Sequence, residues 1–185
     1  MVTTIKGVGP KHTRDDISSG ALAAALDDGL SQLTFGRLAK RLGISDRIIV
    51  YYFPTKDDLV GDVVMAMGVQ LQETLAAAFT APAADHRELI AAAWPVLATP
   101  GHDRVFALFF EANGLAAVGR DPYRELVPTL VQMWIDWVAG FIDGPPDVRR
   151  AEAETAIALL DGLLLLRQLA GPDAADRAAA VIGIA

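Results

Sequence analysis

Between Thr34 and Lys56 the chain gathers side chains that donate hydrogen bonds or carry positive charge: Thr34, Ser45, Arg47, Tyr51, Tyr52 and Lys56. Their chemistry is contact with phosphates and base edges. Arg47 presents five donors in a planar fork, able to read guanine in a major groove or to clamp a phosphate; a solvated surface arginine is the plain alternative. Thr34 and Lys56 fall at predicted helix starts, where hydroxyl, free N–H groups and helix dipole favour a phosphate oxygen. Simple capping is an equally good use of Thr34. Tyr51 and Tyr52 are adjacent, so they point about 100° apart on a helix and divide their roles. Tyr52, three residues from Ile49, belongs with the core and has its hydroxyl at the rim. Tyr51 is the better contact, and Ile48 completes the set expected to face a nucleic acid. Lys11, Arg14, Lys40 and Arg41 add diffuse attraction, for which ordinary solvation is the equal alternative.

Two short helices over a tight turn would hold these groups. Leu38, Ala39, Leu42, Ile44, Ile49 and Tyr52 supply the apolar spacing, and Ala39 is small where the helices cross. Gly43 stands where the chain needs a left-handed residue, and Ser45 follows as the predicted N-cap. The pattern is a helix-turn-helix whose second helix fits a major groove.

Charge is distributed accordingly. The net charge is −7, yet residues 1–56 carry eight Lys or Arg against five Asp, while the remainder carries eight basic and 18 acidic residues. A basic head on an acidic body suits a protein that meets phosphate with one end. At 185 residues, 52% hydrophobic and rich in alanine and leucine, the chain predicts an all-α fold with a substantial core. No apolar run is long enough to span a bilayer, and the opening residues lack a signal-peptide core. With no cysteine, disulfides and thiolate chemistry are excluded, and a cytoplasmic location is expected.

Cap and breaker signals predict about nine helices. Thr13 to Asp16 is a capping box for a first helix ending near Gly29, with Ile17, Ala21, Ala24 and Ala25 inward. Thr34 and Ser45 open the next two, the second ending before Pro54. Thr55 to Asp58 is another capping box, opening a helix to about Phe79. Further helices are predicted near 85–98 (bent or split at Pro95), 103–118, 123–142, from Pro146 to about Ala170, and from Pro172 to the C-terminus. Two domains follow, 1–56 and 57–185.

From Ile17 to about Met65 the chain resembles the tetracycline-repressor (TetR) family of bacterial transcription regulators. Leu33-Thr34, Leu38-Ala39, Leu42-Gly43-Ile44-Ser45 and Tyr51-Tyr52-Phe53-Pro54-Thr55-Lys56-Asp57-Asp58-Leu59 carry the likeness. It implies a nine- or ten-helix, Ω-shaped homodimer that binds a palindromic operator and responds to a small molecule, acting as a repressor. In two places the chain departs from the family pattern. Val50 stands where most relatives have a phosphate-touching tyrosine, so that contact is either lost or taken over by Tyr51. Arg47 stands where many have glycine or alanine.

The acidic part should then hold the effector site. Phe106, Phe110 and Asn113 share one helical face, and Trp134 and Trp137 share another; Trp94, Met133 and Met65 are candidates to join them. Aromatic walls with a few polar groups suit a mostly apolar ligand, although stripes of this kind are more often plain core. Asn113 amid phenylalanines needs a partner, whether backbone, water or ligand. Leucines around Asp161 face too many directions for one subunit to cover. The resemblance implies that Leu159, Gly162, Leu163 and Leu166 pair with a symmetry mate, with Asp161 at the rim or capped by a partner group.

No enzyme is expected. His12, His86 and His102 lack metal-ligand spacing, no nucleophile elbow or phosphate-binding glycine loop appears, and no cofactor or metal is implied. The competing readings are a helical dimer, or a small-molecule-binding protein, without DNA binding.

Overall fold

A computed structural model describes residues 12–184. Lys11, a candidate for diffuse attraction, lies outside them. Within them the chain forms α1 (Arg14–Asp28), a 3-10 turn (Leu30–Gln32), α2 (Phe35–Leu42), α3 (Asp46–Tyr52) and α4 (Lys56–Ala76). Then come α5 (His86–Leu97), α6 (Asp103–Ala117), α7 (Tyr123–Ala139), α8 (Pro146–Ala170) and α9 (Pro172–Val181). No strand occurs among the described residues.

The helix starts follow local chemistry. Thr13 and Asp16 form a reciprocal capping box, and so do Thr55 and Asp58. Thr34 Oγ1 accepts from the Arg37 N–H at 3.3 Å. Gly43 ends α2 in the left-handed region at φ +67°, as the turn requires. Ser45 takes the N-cap position with extended backbone, but its side chain makes no capping bond. The 3-10 turn was not foreseen.

Some predicted boundaries shift. α4 stops at Ala76 and α7 at Ala139, each a few residues early. One cause is a tether between their ends: Ala83 N–H donates to Phe141 O at 2.8 Å, and Asp143 N–H donates to Ala83 O at 2.9 Å. Two backbone bonds there replace the helical ones that the last turns would have made. Pro95 does not split α5. It and Ala91, four residues earlier, both lie on the exposed face, where water satisfies the carbonyl that proline leaves unpaired.

Two cores form. The first joins Ile17, Ala21, Leu38, Ile49, Phe53 and Leu59 to the first half of α4, reaching Leu108 and Ala112 of α6. The second packs α5 and α8 with the ends of α6, α7 and α9. α4 and α6 therefore contribute to both. The seam between cores runs through these two helices.

Candidate nucleic-acid interface and internal cavity

α3 is anchored by Ile49, fully buried, and by Phe53 just past its end. With those two inward, the helix turns Arg47, Ile48, Val50 and Tyr51 to solvent. Tyr51 is 80% exposed and meets the Tyr52 ring edge-on, with centroids 5.0 Å apart. Tyr52 is half-buried, and its hydroxyl donates to His12 O at 3.1 Å. The adjacent tyrosines thus divide their roles: Tyr52 holds the head together and Tyr51 projects. Thr34, Ser45 and Lys56 are exposed at the starts of α2, α3 and α4.

The surrounding cations are not equally available. Arg14 pairs with Asp62 and lies over the Phe53 ring at 4.9 Å. Arg41 and Arg104 both bind Asp27, at 2.6 and 2.7 Å; Arg41 foremost holds that carboxyl below the usual range. Arg47, Lys40 and Lys56 pair with no carboxylate among the described residues. Arg14 and Arg41 thus fasten α1 to α4 and α2.

A second fastening joins head and body. Glu111 of α6 accepts from the Leu30 N–H at 2.8 Å, the Ser31 N–H at 2.9 Å and the Ser31 hydroxyl at 2.5 Å. Its carboxylate thereby caps the 3-10 turn between α1 and α2, satisfying N–H groups that a helix start leaves free.

The body encloses a cavity of about 100 Å³ among α4, α5, α6, α7 and α8. Phe106, Asn113 and Trp134 line it, as the aromatic stripes predict. The other four candidates lie elsewhere. Trp94 is buried in the second core, away from the cavity wall. Phe110 packs beside Phe109 and Phe106, one step round α6 from the opening. Trp137 sits in an aromatic group with Phe79 and Phe141, at 5.9 and 4.8 Å. Met133 is 46% exposed on the outer face of α7. Shared periodicity put these residues near one another, but it does not fix depth. On α4 the wall is Met67, Gly68 and Leu71 instead of Met65. Gly68 faces the Trp134 indole, and a Cβ there would stand in ordinary contact, 3.7 Å from Trp134 Nε1.

Asp161 is the larger surprise. Expected at the rim of an interface, it lines the cavity. It has no hydrogen-bond or ion-pair partner among the described residues, and burial pushes its carboxyl up to about 7. Asn113 Oδ1 is likewise buried with no partner. The sequence held the signal: Ile157, Asp161 and Leu164 are spaced as one inward stripe. Nearby Arg167 bonds Asp103 at 2.8 Å and takes no part.

On α8, Leu163 is 6% exposed and packs in the chain's own core. Leu159 and Leu166 are half-buried, while Gly162 is open. The outward stripe is instead Ala151, Thr155, Ala158, Gly162, Leu165 and Leu169. The histidines stand apart in local contacts: His86 with Glu152 at 2.5 Å and His102 with Thr99 at 3.0 Å.

Residues 17–63 match the family model "Bacterial regulatory proteins, tetR family". Solved structures share the fold over most of both chains. A protein from Rhodococcus sp., described as a TetR-family transcriptional regulator, is 16% identical with TM-score 0.72, covering 93% of this chain and 98% of its own. A TetR transcriptional regulator from Legionella pneumophila is 20% identical with TM-score 0.62, covering 89% and 91%. The multidrug binding protein EbrR, complexed with proflavin, is 24% identical with TM-score 0.63, covering 91% and 96%. No curated protein matches the chain. The segment that holds α2 and α3 as a helix-turn-helix thus matches the tetR family model, and the described residues as a whole share the all-helical fold of these solved regulators.

Proposed function

We propose that the protein is a ligand-responsive repressor that binds a palindromic operator as a homodimer. The observation that carries this reading is α3 itself, which leaves Arg47, Ile48, Val50 and Tyr51 uncovered on one side. A helix-turn-helix presents its second helix to the major groove in this way. Arg47 would read a base edge, Tyr51 would take the phosphate contact that Val50 cannot make, and Thr34 and Lys56 would position the head on the backbone. Ser45 and Ile48 complete the approach, and Tyr52 acts from behind as support.

The cavity is the proposed effector site, and EbrR with its proflavin illustrates a similar fold seating a small molecule. A ligand there would press on α4 through Gly68 and on α6 beside Asn113. α4 starts at Lys56 and α6 carries Glu111, so both helices lead to the head. Induction then requires a ligand that favours the conformation with the two heads badly spaced for DNA. Homodimerisation is supported by the outward stripe of α8, whose alternating steps of four and three residues suit pairing with a symmetry mate. Gly162 would allow close approach within that interface, with Leu165 and Leu169 flanking it and Leu159 and Leu166 at its edge.

Operator binding tests the reading. Arg47→Ala should weaken binding by about 1–3 kcal/mol and relax preference at one base per half-site, whereas Lys56→Ala should weaken all sequences alike and flatten the salt dependence. DNA upstream of the gene, titrated at several salt concentrations, gives the comparison; equal loss on specific and random DNA for Arg47→Ala would remove its base-reading role. No operator binding at all would favour the alternative that Val50 raises, a binding protein that has left DNA behind. Assembly has its own check. Leu165→Glu, on a 40% exposed side chain, should give folded monomers in light scattering, whereas Leu163→Glu should disrupt the subunit core itself.

A further inference from the structure

The polar groups of the cavity wall are the Trp134 indole N–H, the Asn113 amide and the Asp161 carboxylate, and the last two bring acceptors. Asn113 Oδ1 is buried with no partner, and the Asp161 carboxylate stands unpaired among leucines. Among the described residues no lysine, arginine or histidine lines the cavity, and the charged residues of α9, Asp173, Asp176 and Arg177, face solvent. Two unsatisfied acceptors in an aromatic chamber leave an anion unpaired and a hydrocarbon unable to relieve either. A donor with positive charge relieves both, and the aromatic lining of Phe106, Phe109 and Trp134 suits a cation.

We propose that the cavity binds an apolar amine, aromatic by preference, whose ammonium donates to Asp161 and Asn113. This deepens the effector reading above and rests on it. Size sets a further condition. An engineered cavity of about 150 Å³ holds benzene, and this one is about 100 Å³. A single-ring amine is therefore a close fit, and a larger body would press on the α4 and α6 walls. Charge recognition and pressure on these helices become one event. Burial holds Asp161 near its midpoint at neutral pH, so an arriving ammonium also completes its ionisation.

Three probes share one ring and differ in the head: 2-phenylethylamine, 2-phenylethanol and phenylacetate. Titrated into the full-length protein at pH 8 by calorimetry, with the tryptophan signal of Trp134 as a second readout, the amine should bind at least about tenfold more tightly than the alcohol. Phenylacetate should be the weakest. Asp161→Asn, nearly isosteric, should bring amine and alcohol to within about threefold while the alcohol's own affinity holds. Should that variant fail to fold, Asn113→Leu carries the test, lowering the amine's affinity more than the alcohol's. Equal or better binding of the alcohol or phenylacetate, or an amine preference that survives Asp161→Asn, overturns the amine proposal and leaves the cavity as an effector site. No binding of any probe, with operator binding intact, overturns the cavity reading and the proposal together.

Discussion

Phe53 in the head and Phe106 in the body are both buried phenylalanines, yet their surroundings differ. Phe53 is fully buried, with Arg14 over its ring. It shares one core with Ile17, Leu38, Ile49 and Leu59, all buried to 1% exposure or less. Phe106 borders empty space, with a cavity on one side and the Phe109 and Phe110 rings on another. A reading surface needs side chains held in one place, and dense packing achieves that. A site that must respond needs walls able to move, and incomplete packing leaves them that freedom. The two halves apply opposite packing rules within one chain, and α4 and α6 run through both.

The largest expected effect measures this contrast directly. Phe53→Ala should destabilise by about 3–5 kcal/mol, as for a phenylalanine removed from a filled core. Phe106→Ala should lie at or below the bottom of that range, near 3 kcal/mol, because part of its surroundings is already empty. Urea denaturation of both variants is the check. Equal losses would mean that the body is as tightly built as the head.

Asp161 sharpens the contrast through pH. Its folded carboxyl titrates near 7, above the ordinary carboxylate range it would have unfolded. Below that ordinary range both states are protonated and no cost arises. As pH rises toward 7 the folded protein retains a proton that the unfolded chain has lost, and stability falls; above 7 the full penalty is present. Asp161→Asn should therefore stabilise the protein by roughly 1–3 kcal/mol at pH 8, allowing for partial solvent screening, and by little at pH 4. Melting curves at the two pH values decide it. Finding no gain at either pH would place the carboxylate in water rather than in the cavity.

A smaller effect is expected where the halves join. Glu111→Gln keeps the side chain's shape and removes the charge from three hydrogen bonds, so a loss of about 1–2 kcal/mol should follow. Its sharper signature is functional. If Glu111 links cavity to head, probe binding survives while the factor by which probe and operator weaken each other shrinks toward one. An unchanged factor would assign the coupling to α4 alone.

The head was legible because local chemistry dictates it. Thr13, Thr34 and Thr55 announce their helices, Gly43 marks the turn, and Ile17, Ala21, Ala24 and Ala25 bury together as their spacing requires. In the body the same reasoning identified faces but not depth. Trp134 and Trp137 lie one turn apart on α7, yet only the first reaches the cavity, while the second is drawn into the group with Phe79 and Phe141. Met133 precedes Trp134 by one residue, which on a helix is enough to turn it outward. Leu163 and Leu165 resemble each other in sequence; only the packing of α8 against α5, α6, α7 and α9 decides which is inside. Asp161 was misplaced because a lone carboxylate in a leucine run is usually assigned to an edge, and the cavity that accommodates it is made by five helices at once.

The Glu111 clamp also bears on how such a protein evolves. It grips two main-chain amides, at Leu30 and Ser31, so the link survives changes of residue type at either position. Replacing Ser31 would remove its hydroxyl bond but leave the two main-chain ones, and Leu30 is held by its place in the core. The constraint moves to Gly29, whose φ of +88° suits glycine and whose Cβ, if present, would stand 3.0 Å from Glu111 Oε2. A lineage could therefore rebuild its cavity for a new effector without renegotiating this connection. Inheritance of the link would rest on one acid and one glycine.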